Sequence, residues 1–196
     1  MSKRLFDVAA AALGLILLAP ALLAIALWIR LDSPGPALFR QRRVGRHGRH
    51  FAIYKFRTMV DRPDGGRQLT VGLDPRITRA GRFLRHTKLD ELPQLLNVLE
   101  GTMSIVGPRP EVPRYVDRYP PAVRQTVLSV APGITDLAAI LYKDENDILG
   151  RAQDPERTYV ETILPVKLEY YQRYVRERTF WLDLRIIFRT LAAILK

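Results

Sequence analysis

The chain opens on a polar KRLFD and then runs from Val8 to Ile29, 22 residues, without a charge, dominated by Ala, Leu and Ile. At about 1.5 Å of rise per residue, a helix of that length is just long enough to cross the hydrocarbon core of a bilayer. Pro20 lies inside the run and removes a helix hydrogen bond, at a cost of about 3 kcal/mol unless the chain bends. Basic residues stand on both sides, Lys3 and Arg4 before it and Arg30, Arg40, Arg42, Arg43, Arg46 and Arg49 after it. The tendency of basic flanks to stay cytoplasmic therefore applies to both ends. A helix broken at Pro20 that enters the membrane and returns satisfies both constraints. The alternatives are a simple span and a signal peptide cleaved near Ala19, Pro20 and Ala21.

Beyond the turn Ser33-Pro34-Gly35-Pro36, the stretches Ala37 to Val44 and Phe51 to Thr58 predict two short strands around a Gly45 to Gly48 turn. Asp61 to Gly66 reads as loop, and Arg76 to Arg85 as a basic helix. TKLDELPQLLNVLEG predicts a helix that Thr87 caps and Gly101 ends, with Leu89, Leu92, Leu96 and Leu99 on its buried face. Asp90, Gln94 and Asn97 would share the opposite side, with Glu91 beside them. Phe180, Leu184, Ile187, Phe188, Leu191 and Leu195 form a last apolar stripe, with Asp183, Arg185 and Arg189 largely off it. Tyr170, Tyr171, Tyr174 and Trp181 are expected in the core, with some lipid contact. The fold predicted is mostly α with a small β-hairpin. Residues 1–32 form the membrane helix and its flank, and residues 33–196 a compact cytosolic catalytic domain with amphipathic helices at the interface.

Composition narrows the chemistry. The 196 residues contain no cysteine, which removes disulfides, thiolate catalysis and cysteine metal sites together. The net charge of +11 is uneven, because residues 1–89 carry 17 basic and 5 acidic side chains. Such a surface attracts nucleic acid, anionic lipid or phosphorylated substrates alike, so a non-catalytic basic module is the rival to an enzyme.

The adjacent acids Asp90 and Glu91 are, taken alone, an ordinary helix start. Their surroundings give them more weight. Arg79, Arg82, Arg85 and Lys88 precede them, and the rigid turn Gly107-Pro108-Arg109-Pro110 follows. Carboxylates beside such a cluster suit phosphoryl transfer: Asp supplies a nucleophilic oxygen or binds a hard cation, and arginines neutralise the phosphoryl oxygens. His47, His50 and His86 lack metal-ligand spacing. Gly65 to Arg67 is not a P-loop, since the completing Lys and Ser/Thr are absent.

FAIYKFRTM, DPRITRAGRFLR, LDELPQLLNVLEGTMSIVGPRPE and APGIT, in this order after KRLFD and the apolar run, resemble the bacterial monotopic phosphoglycosyl transferases over most of the chain. The resemblance implies a sugar-phosphate transferase that moves a sugar 1-phosphate from a UDP-sugar to polyprenyl (undecaprenyl) phosphate, releases UMP and initiates a surface glycan. It implies a covalent ester on Asp90, formed with Mg²⁺ that Asp90 helps bind. Glu91 positions the metal or activates the attacking group. Lys55, Arg85, Arg109 and Lys143 fall at phosphate-binding positions, with Lys143 standing where an Arg is usual. The membrane helix is expected to break at Pro20, and Asp7 to act as a cap or salt-bridge partner. The protein is expected at the cytoplasmic face of the plasma (inner) membrane, in contact with lipid and not nucleic acid, in the minimal form of such enzymes. After Thr135 many relatives read GWAQVNGR where this chain reads DLAAILYK, which leaves the sugar open, as is homodimer formation.

Overall fold

The computed structural model describes residues 2–60, 74–142 and 145–194. Lys143 and the expected 61–66 loop lie outside them. The apolar run is one long helix, α1 (Ser2–Asp32), in which Leu13, Ile16, Leu17, Leu23, Leu27 and Leu31 remain exposed. It is long and apolar enough to cross a membrane. The helix continues through Pro20, so the expected break is not an interruption of the helical element. A single proline deletes only one hydrogen bond of the ladder, which the neighbouring turns outlast.

Both ends of α1 are fastened to the same body. Before Pro20, Arg4 donates to the carbonyls of Val98 and Leu99 at 2.5 and 3.0 Å, and Ala11 is buried with Ile53, Val98 and Met103. After it, Ile29 is buried with Phe56, Ala80 and Leu84. At the helix C-terminus the Arg57 guanidinium donates to the carbonyls of Ile29, Ser33 and Pro34, which ties the end of α1 and the turn after it to the end of β2.

The expected hairpin is present as β1 (Leu38–Val44) and β2 (His50–Phe56), antiparallel with Phe39 opposite Lys55. The basic helix is α2 (Arg79–His86), with Thr78 capping it through the Gly81 amide at 2.9 Å. The next segment departs from expectation. Thr87 ends α2 instead of starting a helix, Lys88 turns left-handed at φ 58°, and the acids occupy a single 3₁₀ turn, Leu89–Glu91. Pro93 then precedes α3 (Gln94–Glu100). The faces are also reversed: Asp90, Gln94 and Asn97 are buried while Leu96 and Leu99 are exposed. Asn97 explains the burial, accepting from the Tyr54 amide at 2.9 Å and donating to the Ala52 carbonyl at 2.8 Å, which pins α3 to the hairpin.

A second, parallel pair was not foreseen: β3 (Ser104–Val106) beside β4 (Gly133–Thr135). A Cβ on Gly133 would sit 2.0 Å from the Gly107 nitrogen, so these backbones approach as only glycine allows. Between and after them come α4 (Pro113–Val116), α5 (Pro121–Val127), α6 (Leu137–Leu141), α7 (Glu145–Gly150), α8 (Pro155–Thr158), a π-helical turn Tyr159–Ile163, α9 (Leu164–Glu177) and α10 (Phe180–Ile194). The largest buried cluster joins α4, α5 and α9 around Val116, Val127, Leu164 and Tyr171. Tyr171 and Tyr174 are core, as expected; Trp181 is not, being 76% exposed on α10 beside Phe180.

Candidate active site

Three separate elements bring charged side chains to the 3₁₀ turn. Lys55 comes from the end of β2, Arg85 from the last turn of α2, and Arg109 from the loop that leaves β3. Lys55 Nζ donates to Glu91 Oε1 at 2.7 Å. Arg109 Nη1 donates to Glu91 Oε2 at 3.1 Å, and Nη2 donates to Oε1, a two-point grip. Of the residues assigned from sequence, Asp90, Glu91, Lys55, Arg85 and Arg109 thus converge, while Pro20 belongs to α1. The left-handed Lys88 is a residue other than glycine in a disfavoured conformation, and such strain collects where a side chain must be aimed.

The two acids differ sharply. Burial works against ionising Glu91, but Arg109 and Lys55 outweigh it and hold its carboxyl well below the usual range. Asp90 is also buried, and there burial prevails: it pushes the Asp90 carboxyl up, against Lys55 and Arg85, with Glu91 adding to the rise. Among the described residues Asp90 makes neither a hydrogen bond nor an ion pair. Arg85 Nε donates to Thr58 Oγ1 at 2.9 Å and acts on Asp90 through its charge.

No group of three or more acids or histidines that would enclose a metal occurs among the described residues. Mg²⁺ does not need one, since it keeps several waters and takes one or two carboxylates together with substrate phosphates. The unpaired carboxylate of Asp90 fits that mode of binding, whereas Glu91 is already engaged by two cations.

A further set of residues went unassigned in the sequence. Arg43 Nη1 donates to the Pro110 carbonyl at 2.9 Å and lies 3.7 Å from Glu111, which accepts from Tyr159 at 2.5 Å. These fix the loop that carries Arg109. Strand alternation was the available signal, because it turns Arg40 and Arg42 outward and Arg43 inward.

An unpaired acid thus lies among basic side chains, in a chain whose N-terminal helix is long and apolar enough to cross a membrane. The match to the bacterial sugar transferase family model covers residues 1–196, and the chain belongs to that family. It is 38% identical over 196 residues to the UDP-N-acetylgalactosamine-undecaprenyl-phosphate N-acetylgalactosaminephosphotransferase of Aeromonas hydrophila, covering 98% of this chain and 43% of that protein. It is 40% identical over 192 residues to the UDP-glucose:undecaprenyl-phosphate glucose-1-phosphate transferase of Escherichia coli K12, covering 96% and 39%. Against the protein of that name from Caulobacter vibrioides it is 42% identical over 199 residues, covering 100% and 70%. The chain thus spans about two-fifths of the length of the first two relatives.

Proposed function

We propose that this chain transfers a sugar 1-phosphate from a UDP-sugar to undecaprenyl phosphate, through a covalent intermediate on Asp90, as the first step of surface-glycan assembly. The observation that carries the reading is the contrast at the 3₁₀ turn, where one acid is locked between cations and its neighbour is left without a partner.

In the first half-reaction an Asp90 oxygen attacks the sugar-bearing phosphorus of the donor. The bond from that phosphorus to the bridging oxygen breaks, and UMP leaves with the electron pair. In the second, an oxygen of the acceptor phosphate attacks the same phosphorus and expels the Asp90 carboxylate unchanged, giving the lipid diphosphate sugar. Lys55, Arg85 and Arg109 neutralise the phosphate oxygens, so that one anion can approach another. Asp90 would hold Mg²⁺ together with the donor phosphates, and the ion supplies further charge neutralisation there. Glu91 keeps Lys55 and Arg109 in place until the substrate arrives.

The membrane arrangement that accords best with the contacts is re-entrant. Arg4 and Ala11 before Pro20, and Ile29 after it, pack on one body, whereas a spanning helix would carry its ends to opposite faces. With basic flanks, that arrangement supports a site on the cytoplasmic face of the inner membrane.

The full chain in lipid nanodiscs, given undecaprenyl phosphate, Mg²⁺ and a panel of UDP-sugars, is expected to release UMP. No UMP from any donor would sink the reading. Because cysteine is absent, single cysteines at Ser2 and at the exposed Pro36 report topology. Labelling from one side only is expected for both, and labelling from opposite sides would mean a span.

A further inference from the structure

The carboxyl ends of the parallel strands β3 and β4 lie side by side, with Val106 opposite Thr135 and the Gly107 amide donating to the Thr135 carbonyl at 3.1 Å. One strand leads to Arg109 and the other to Asp136. Asp136 is 1% exposed. Its Oδ1 caps α6 by accepting from the Ala139 amide at 2.8 Å, while its Oδ2 has no partner. From α9 the Tyr171 hydroxyl is likewise buried and without a partner. Two buried polar atoms without partners are a costly arrangement that capping does not explain, since Asn or Ser caps a helix as well as Asp.

Glu91 holds both terminal nitrogens of Arg109, so in this state the guanidinium is committed to a carboxylate. A donor phosphate must compete for those nitrogens, and as it does so Arg109 loses the partner that fixes it. Among the acids acting on Arg109, Asp136 comes next after Glu91. The other groups facing Asp136 are Lys167 and Tyr171 from α9 and Tyr119 from the segment after α4. Lys167 is already paired with Glu145 at 2.5 Å.

We propose that Asp136 is a positioning residue, a second acidic holder that keeps Arg109 aimed into the site when donor phosphate displaces Glu91. This rests on the transferase reading and adds a role that the acid pair does not supply. Burial pushes the Asp136 carboxyl up to about 6, so near neutral pH it carries the charge that the role requires.

The test is a double-mutant cycle in the full chain, with Asp136→Asn, which retains the cap, and Arg109→Lys. Asp136→Asn is expected to melt no lower than the unsubstituted protein and to lose at least about tenfold in kcat/KM for the donor, the scale on which outer partners of ligand-contacting groups act. In the Arg109→Lys background the same change is expected to cost less than about twofold, because groups acting through one another are not additive. UDP affinity measured by calorimetry gives the same cycle without turnover. An Asp136→Asn protein with unchanged kcat/KM and UDP affinity, or equal losses in both backgrounds, would overturn the proposal. Absence of UMP from the unsubstituted chain would instead overturn the transferase reading, and the UDP cycle would still decide the role of Asp136.

Discussion

Two clusters of buried charge sit at opposite ends of the same design. At the start of α1, Asp7 accepts from the Ser104 hydroxyl at 2.8 Å and the Ile105 amide at 3.1 Å. Asp183 accepts from Lys3 at 2.6 Å and from the Tyr174 hydroxyl at 2.8 Å. Every oxygen of those two carboxylates has a partner. At the 3₁₀ turn, by contrast, Glu91 is saturated and Asp90 is bare, and Asp136 after β4 is half-satisfied. A fully paired polar network specifies a structure, and a partly paired one is retained where something else must bind. The first cluster fastens the apolar helix, and the second leaves one carboxylate unpaired among cations, which is what the proposed transfer requires.

The sharpest way to break this contrast is to neutralise the bare acid. Asp90→Asn is expected to lower UMP release by roughly a thousandfold or more, since no carboxylate remains to attack. Its melting temperature should not fall, because nothing was bonded to the group removed. Glu91→Gln should do the reverse in part. It leaves Lys55 and Arg109 mostly buried without the counter-charge that is hydrogen-bonded to them, which costs about 3–5 kcal/mol of stability, and turnover per folded molecule should drop less than for Asp90→Asn. Unfolding curves set beside UMP assays separate the two; a Glu91→Gln protein as stable as the parent would mean the pairing contributes nothing to the fold.

On the other side of the comparison, Asp7→Ala removes two accepted hydrogen bonds, so that the Ile105 amide loses this acceptor and the Ser104 hydroxyl keeps only the Val106 carbonyl. A loss of about 2–3 kcal/mol is expected, with turnover per folded molecule retained. Thermal unfolding in detergent measures the first and UMP release the second. A turnover defect without a stability defect would place Asp7 in the chemistry and dissolve the distinction.

Much of the frame was legible in the sequence, and the reasons are local. The uncharged run marked α1, Gly45 to Gly48 marked the hairpin turn, and the acid pair between basic clusters marked the charged cluster proposed as the site. What sequence pattern missed depended on partners distant along the chain. Asn97 goes inward because hairpin backbone groups 43 and 45 residues away satisfy it, which turns Leu96 and Leu99 outward against their hydrophobicity. The parallel pair β3 and β4 has three residues in each strand, too short for periodicity to register. Asp136 stands in the sequence only as the first residue of DLAAILYK, and both its cap on α6 and its unpaired Oδ2 come from the fold.

The smallest effects come from pH, where the two neighbouring acids have opposite signs. Glu91 has a folded-state pKa below its unfolded value, so the stability it contributes is present above the unfolded value and lost as pH falls through the folded one. Asp90 has a folded-state pKa above its unfolded value, so ionising it costs stability, and acidification between the two values returns that stability. Attack requires ionised Asp90. Activity should therefore fall on an acid limb above the ordinary aspartate range, at a higher pH than the one at which loss of the Glu91 pairing loosens the fold. Lys55→Met, which removes the largest charge favouring the ionised form, should move the limb to higher pH. Arg85→Met should move it the same way by less, with the Glu91 pairing intact. Profiles of kcat/KM against pH for the three proteins decide the matter. A limb that stays fixed in both variants would assign the essential ionisation to another group.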